Sequence, residues 1–218
     1  MSFSPRTPRT LQGGLVLMDS DGRALLRTVA FQYNPDSISR TLQARIAQVD
    51  TGDRLEGLRL RGAPLETLKL DIELDATDRL ERPDQNPETV ENGLLPELAD
   101  LETIISPLAD DLLSAEQLAN SGTLEILPLP SPLVLLTLGP KRVLPVRITD
   151  FTILEEAFDT RLNPIRVKIS LGFRLLSSDD VVYGSKAAAL FFTALQTKER
   201  FTRRKPPNLG SIGLPGVP

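Results

Sequence analysis

The chain contains no cysteine, no histidine and no tryptophan. Without cysteine there are no disulfides and no thiolate metal sites. Without histidine there is no imidazole ligand and no imidazole general base, so the Ser-His, Cys-His and His-metal constellations are excluded. Aromatic residues make up only 5% of the sequence. The core must therefore be built from Leu, Ile and Val, and a stacking platform for single-stranded nucleic acid is not available. Positive charge is not in excess either: the formal net charge is -4, which gives phosphates no global attraction. Long apolar runs are also missing. The most apolar stretch, Leu124 to Leu138, is broken by Pro128, Pro130 and Pro132. What remains uninterrupted, Leu133 to Leu138, is far too short to span a bilayer. The polar start, Met1 to Arg9, lacks the apolar segment of a secretory signal. These features lead us to expect a protein made in the cytoplasm without a signal peptide, with no direct membrane insertion and no nucleic-acid partner.

What is present is ordinary for a folded chain: 218 residues, 40% apolar and 25% charged. That length suits one domain with an insertion and a tail. Gly14 to Met18, Asp19-Ser20-Asp21-Gly22 and Ala24 to Phe31 read as strand, tight turn and strand, with Gly22 able to take the positive φ of the turn. Tyr33-Asn34-Pro35-Asp36 is a second turn, in which Pro35 forces Asn34 to be extended. In Leu65 to Leu74, Leu68, Leu70 and Ile72 alternate with Lys69, Asp71 and Glu73, the period of a half-buried antiparallel strand. Leu133 to Leu138 is a further strand, with Gly139-Pro140 as its turn. Leu144, Val146 and Ile148 keep period two, but Phe151 and Ile153 continue on the other parity, the slip a β-bulge leaves behind. From Ile165 to Leu175 the alternation is strictest, with Arg166, Lys168, Ser170 and Arg174 on the wet face. A strand of that length suits a barrel or two packed sheets.

Between the strands, from about 75 to 121, lies an insertion rich in Asp and Glu, whose only bases are Arg79 and Arg82. Leu98, Leu101 and Ile105 recur at helical spacing, as do Leu108, Leu112 and Leu113, predicting short helices over Pro96–Ile105 and Leu108–Ala119. Ser185 is a helix cap, and Ala188, Phe191, Phe192 and Leu195 form the apolar stripe of a helix running to about Phe201. The reading is mainly β (α+β): an N-terminal arm over 1–13, a β domain over 14–176 carrying the insertion, a C-terminal helix over 177–202, and a Pro- and Gly-rich flexible tail over 203–218.

The carboxylate pairs Asp110-Asp111, Glu155-Glu156 and Asp179-Asp180 read as solvated surface. Asp19-Ser20-Asp21-Gly22 lacks the third ligand and the distal Glu of a calcium loop. No P-loop and no G-x-G-x-x-G occurs. No catalytic residue, metal ligand or cofactor is expected. The cluster Arg203-Arg204-Lys205 suits contact with nucleic acid or a membrane or, in a chain that is acidic as a whole, at least as well a docking contact on an acidic surface such as the insertion of a neighbouring copy. The face formed by Arg166, Lys168 and Arg174 is a solvated face or, in a ring, a channel lining or subunit seam.

Two segments carry a family likeness. Phe31-Gln32-Tyr33-Asn34-Pro35-Asp36-Ser37-Ile38-Ser39 resembles the F-x-[FY]-N-P-x-x-[IL] opening of the tube-like domain of contractile injection systems. The segment from Pro132-Leu133-Val134-Leu135 to Leu176 resembles the closing strands of that domain, through Ile148-Thr149-Asp150-Phe151, Phe158, Asn163-Pro164-Ile165-Arg166-Val167 and the last long strand. Members of that family are related to phage tail-tube proteins and form hexameric rings that link the inner tube to the spike and baseplate. The resemblance implies an antiparallel β-barrel or two packed sheets of tail-tube type, and a non-enzymatic tube-baseplate adaptor. It also implies partners: further copies of the chain, an inner tube protein, and spike, hub and baseplate proteins. The candidates for assembly are Phe31, Tyr33, Asn34, Pro35, Asp150, Phe151, Phe158, Asn163, Pro164 and Arg166 from these segments, with Lys168 and Arg174 from the basic strand face. Longer members add a LysM domain. Here only a short tail follows Phe201, with no room for a LysM domain. Where the family has Gly before the loop Pro, this chain has Leu162-Asn163, and Asn tolerates the left-handed conformation. An inner tail-tube or tail-terminator subunit is the alternative within the class. From a different class, the alternative is a monomeric β-barrel holding a small apolar ligand.

Overall fold

The structure, a computed structural model, describes residues 11–46, 59–120 and 131–203, together with Gly210. The first ten residues of the arm, the Pro-interrupted run before residue 131 and nearly all of the tail lie outside the described residues. Seven strands form one antiparallel sheet: β1 (Gly14–Met18), β2 (Leu25–Ala30), β3 (Ile38–Gln43), β4 (Leu65–Asp75), β5 (Leu133–Thr137), β6 (Val143–Phe158) and β7 (Pro164–Leu175). Their order is β2-β1-β5-β6-β7-β4-β3.

The β1–β2 hairpin is closed by the expected turn. Gly22 has φ 71°, its N–H donates to the Asp19 carbonyl at 2.9 Å, and the Asp19 carboxylate accepts from the N–H groups of Arg23 and Ala24 at 2.6 and 3.0 Å. Those bonds account for Asp19 as a turn residue. β6 is the longest strand, and it pairs with β5 through Val143–Val146 and with β7 from Val146 to Phe158. Its register against β7 slips between Ile148 and Asp150, which makes Thr149 the extra residue of the bulge that the parity change predicts.

Period two decides the core. Leu68, Leu70, Ile72 and Leu74 of β4 and Val167, Ile169, Leu171 and Phe173 of β7 are buried on one face. In the half formed by β1 and β5 both faces are covered. Leu15, Leu17, Val134 and Leu136 enter the main cluster, while Leu133 and Leu135 pack with Ala187 in a second. This double burial explains why β5 reads as a continuous apolar run rather than an alternation. Each such side chain removed from water contributes roughly 1.5–3 kcal/mol before chain entropy opposes it.

Five α-helices complete the fold: α1 (Thr77–Leu80), α2 (Pro87–Asn92), α3 (Leu95–Glu102), α4 (Ala109–Asn120) and α5 (Lys186–Thr202). The Ser185 side chain caps α5 by accepting from the Ala188 N–H at 3.2 Å. The expectation of a closed barrel or of two packed sheets is corrected. There is one sheet and it is open, with no strand paired to the outer side of β2 or of β3 among the described residues. The physical reason is α3. Leu98 and Leu101 are buried in the main core, and α3 meets β2 and β4 around a small recess lined by Val29, Ile72, Leu74 and Leu101. Arg27 of β2 donates to Asp100 and Thr103 at 2.8 and 2.9 Å, tying the helix to β2. A helix, rather than strand pairing, covers the core between β2 and β4.

Candidate functional site

The residues marked by sequence fall into four groups. The first is a pair of internal staples around the Asn34-Pro35 turn. Phe31 is buried, and its N–H donates to the Gly13 carbonyl at 2.9 Å. Gln32 mimics a peptide group: its amide N–H donates to the Asp75 carbonyl at 2.8 Å and its carbonyl accepts from the Asp75 N–H at 2.9 Å. Asn34 does the same on the other side, donating to the Leu11 carbonyl at 2.9 Å and accepting from the Gly13 N–H at 2.8 Å. The motif thus ties the chain leading into β1 and the end of β4 to one loop. Asn34 is committed to its own chain, while Tyr33 is exposed and Pro35 half-buried.

The second group sits at the β6–β7 loop and docks the insertion. The Asn163 side chain donates to the Glu91 carbonyl at 2.8 Å and to the Asp159 carboxylate at 2.9 Å, and the Leu94 N–H donates to the Pro164 carbonyl at 2.9 Å. Arg161 reaches the Val90 carbonyl. Asp159 is held below the ordinary carboxylate range, first by the Asn163 N–H. One sequence expectation fails here. The left-handed residue is Leu162, with φ 65°, and Asn163 is instead used for its side-chain bonds. Asn163 and buried Pro164 are internal clamps.

The third group is a surface. Tyr33 shares a recess of about 380 Å³ with Glu73, Asp75, Glu156, Arg166 and Lys168, so the two family-like segments meet there. The basic face is not bare. Arg166 pairs with Asp75 at 2.9 Å, Lys168 with Glu156 at 2.9 Å and Arg174 with Asp180 at 2.7 Å. Thr77 hydroxyl and N–H donors, against burial and with help from Arg166, hold the Asp75 carboxyl below its usual range. The Glu156 carboxylate raises Lys168 above the usual lysine value. Asp180 is also depressed: burial opposes this, but Ser177 donors and Arg174 outweigh it. With three carboxylates against two cations, the recess offers no excess positive charge to phosphate.

The remaining marked residues lie along β6. Asp150 stands opposite Gly172, where an added Cβ would come within 2.5 Å of the Asp150 carboxylate, so only glycine leaves room for it. Phe151 packs partly against the core. Phe158 is 47% exposed and Leu154 56%, leaving an apolar edge on an otherwise polar face. The carboxylate pairs do not converge on a cleft. Asp179 is ion-paired with Arg45, Asp180 with Arg174 and Glu156 with Lys168.

Glu66 was not marked by sequence. It is 2% exposed on β4, and it accepts from Arg40 Nε at 2.9 Å and from Lys198 Nζ at 3.0 Å. Burial alone would raise its pKa, but the Arg40 and Lys198 hydrogen bonds outweigh burial and lower it. The signal was available: Glu66 shares the parity of Leu68, Leu70 and Ile72 and so belongs to the buried face. No helix among the described residues is long and apolar enough to cross a membrane. No protein-family model and no curated protein matches the chain.

Proposed function

We propose that the chain is a structural, non-catalytic ring subunit of a phage-tail-like contractile machine, placed between the inner tube and the spike and baseplate. The observation that carries the reading is the open sheet. Its two terminal strands have no strand partner on their outer sides among the described residues, and both expose leucines: Leu25 and Leu26 on β2 at 62% and 60%, and Leu42 on β3 at 53%. Uncovered apolar edges are an aggregation hazard in a monomer. Two different edges that meet head to tail remove that hazard and close a ring when the rotation per copy allows it. The family-like segments support the same reading, because they build the loop and the polar recess beside these elements. Copies of the chain, an inner tube protein and spike, hub and baseplate proteins are the partners.

Cryo-electron microscopy of particles from cells expressing the surrounding gene cluster tests the proposal directly. One ring of this chain at the tube-baseplate junction is the expected result. Many stacked rings would make it the tube subunit instead. A monomer found in no particle would sink the reading.

A further inference from the structure

We propose that α4 of one copy seats in the groove between α5 and the β5–β6 turn of the next. This contact rests on the self-associating reading above and names a surface for it.

Helix α4 contributes nothing to the core: none of its residues is buried, and Leu112 and Leu113 are 52% and 56% exposed. Around these leucines stand Asp110, Asp111 and Glu116, and the helix has no basic residue. Glu116 lies three and four residues beyond them, on the same face. The groove has the opposite character. It encloses about 450 Å³, with Pro140, Val143, Leu190 and Ala194 as apolar lining and Lys141 and Arg200 as its charges. Arg203 follows at the end of α5. An apolar helix face framed by acids thus matches an apolar groove framed by bases, and like charges would face each other if either surface met itself.

Placement makes the match intermolecular. The start of α4 shares a recess with Ser131 and Pro132, which lead into β5, whereas Pro140 and Lys141 follow the end of β5. An extended strand rises about 3.3 Å per residue, so the two surfaces are on the order of 20 Å apart at opposite ends of one strand. Two different surfaces at opposite ends allow a directional, head-to-tail contact between successive copies. A second copy of this chain is therefore the occupant.

The absence of native cysteine makes the test clean. Leu112→Cys and Ala194→Cys chains, full length, are mixed and treated with a short bismaleimide, and mass photometry is run on the same samples. We expect a cross-linked pair in the mixture and little in either variant alone. Charge reversal gives the second readout. Asp110→Lys with Asp111→Lys, or Lys141→Glu with Arg200→Glu, is expected to weaken self-association by roughly tenfold or more, and combining both sets to restore much of it. Cross-linking of Leu112→Cys alone would mean that α4 packs on α4, and would overturn the contact. Assembly unaffected by either charge reversal would place the contact elsewhere and leave the ring reading standing. A wild-type chain that stays monomeric at every concentration would remove both.

Discussion

Leu162 carries a local cost that its neighbours impose. A left-handed backbone is roughly 1–2 kcal/mol unfavourable for a residue with a Cβ, and at φ 65° Leu162 adopts it with a side chain that is 79% exposed. Nothing packed is lost if that side chain is removed. Leu162→Gly is therefore expected to stabilise the fold by about 1 kcal/mol, seen as a rise in the urea midpoint. A fall would mean that the greater chain entropy of unfolded Gly dominates. Glu66 presents the reverse case, a buried charge answered by two cations from different elements. Glu66→Gln weakens two charge-assisted bonds and should cost about 2 kcal/mol near neutral pH. The folded carboxyl is depressed below its unfolded value, so its contribution is complete above that unfolded value and is lost as pH falls through the folded one. Melting curves of the two proteins should converge at the acid end. A gap that persists unchanged at low pH would show that packing, not charge, is what the substitution disturbs.

At the scale of elements, the acidic insertion is two things rather than one. Its first part is core: Leu94, Leu98, Leu101 and Ile104 are all buried in the main cluster. Its second part, α4, buries nothing. Leu98→Ala should then cost about 2–5 kcal/mol, as deletion of a packed leucine does, while Leu112→Ser with Leu113→Ser should change stability by no more than about 0.5 kcal/mol. Chemical denaturation distinguishes them, and equal effects would contradict this division. The sequence carried only part of this. Both longer helices were legible from leucine spacing, but periodicity cannot say whether an apolar stripe meets a sheet or faces water. Strand β4 was legible because one face is wet, and so was the bulge at Thr149, because the parity of the apolar residues changes there. Strand β3 was not. Its residues, Ile38 to Gln43, are nearly all exposed, so no burial pattern marks them and only pairing with β4 makes them a strand. Tyr33, Arg166 and Lys168, all marked from sequence, line one recess, which their separation along the chain did not reveal. The amides of Asn34 and Asn163 bond the backbone of their own chain, fixing the loops they sit in, partners that sequence pattern alone does not name.

The whole molecule is shaped by failure to close. Strand pairing runs unbroken from β2 to β3, yet the ends do not join, and α3 rather than a further strand covers the core between β2 and β4. Such a sheet leaves two unlike edges in one chain, and under the ring reading these are consumed by neighbours on either side. Leu25 and Leu42 mark the two edges and are more than half exposed, so replacing either with lysine removes little from the folded monomer. A charge on an edge strand is nevertheless what keeps natural sheets from pairing with one another. Leu25→Lys and Leu42→Lys should each keep the circular dichroism and melting temperature of the parent and lose ring formation. Each variant also retains one intact edge, so mixing the two should allow dimers through the surviving edges but no closed ring. Rings from either variant alone, at the parent's concentration, would mean that the edges are not the seam and that assembly depends on contacts made by helices.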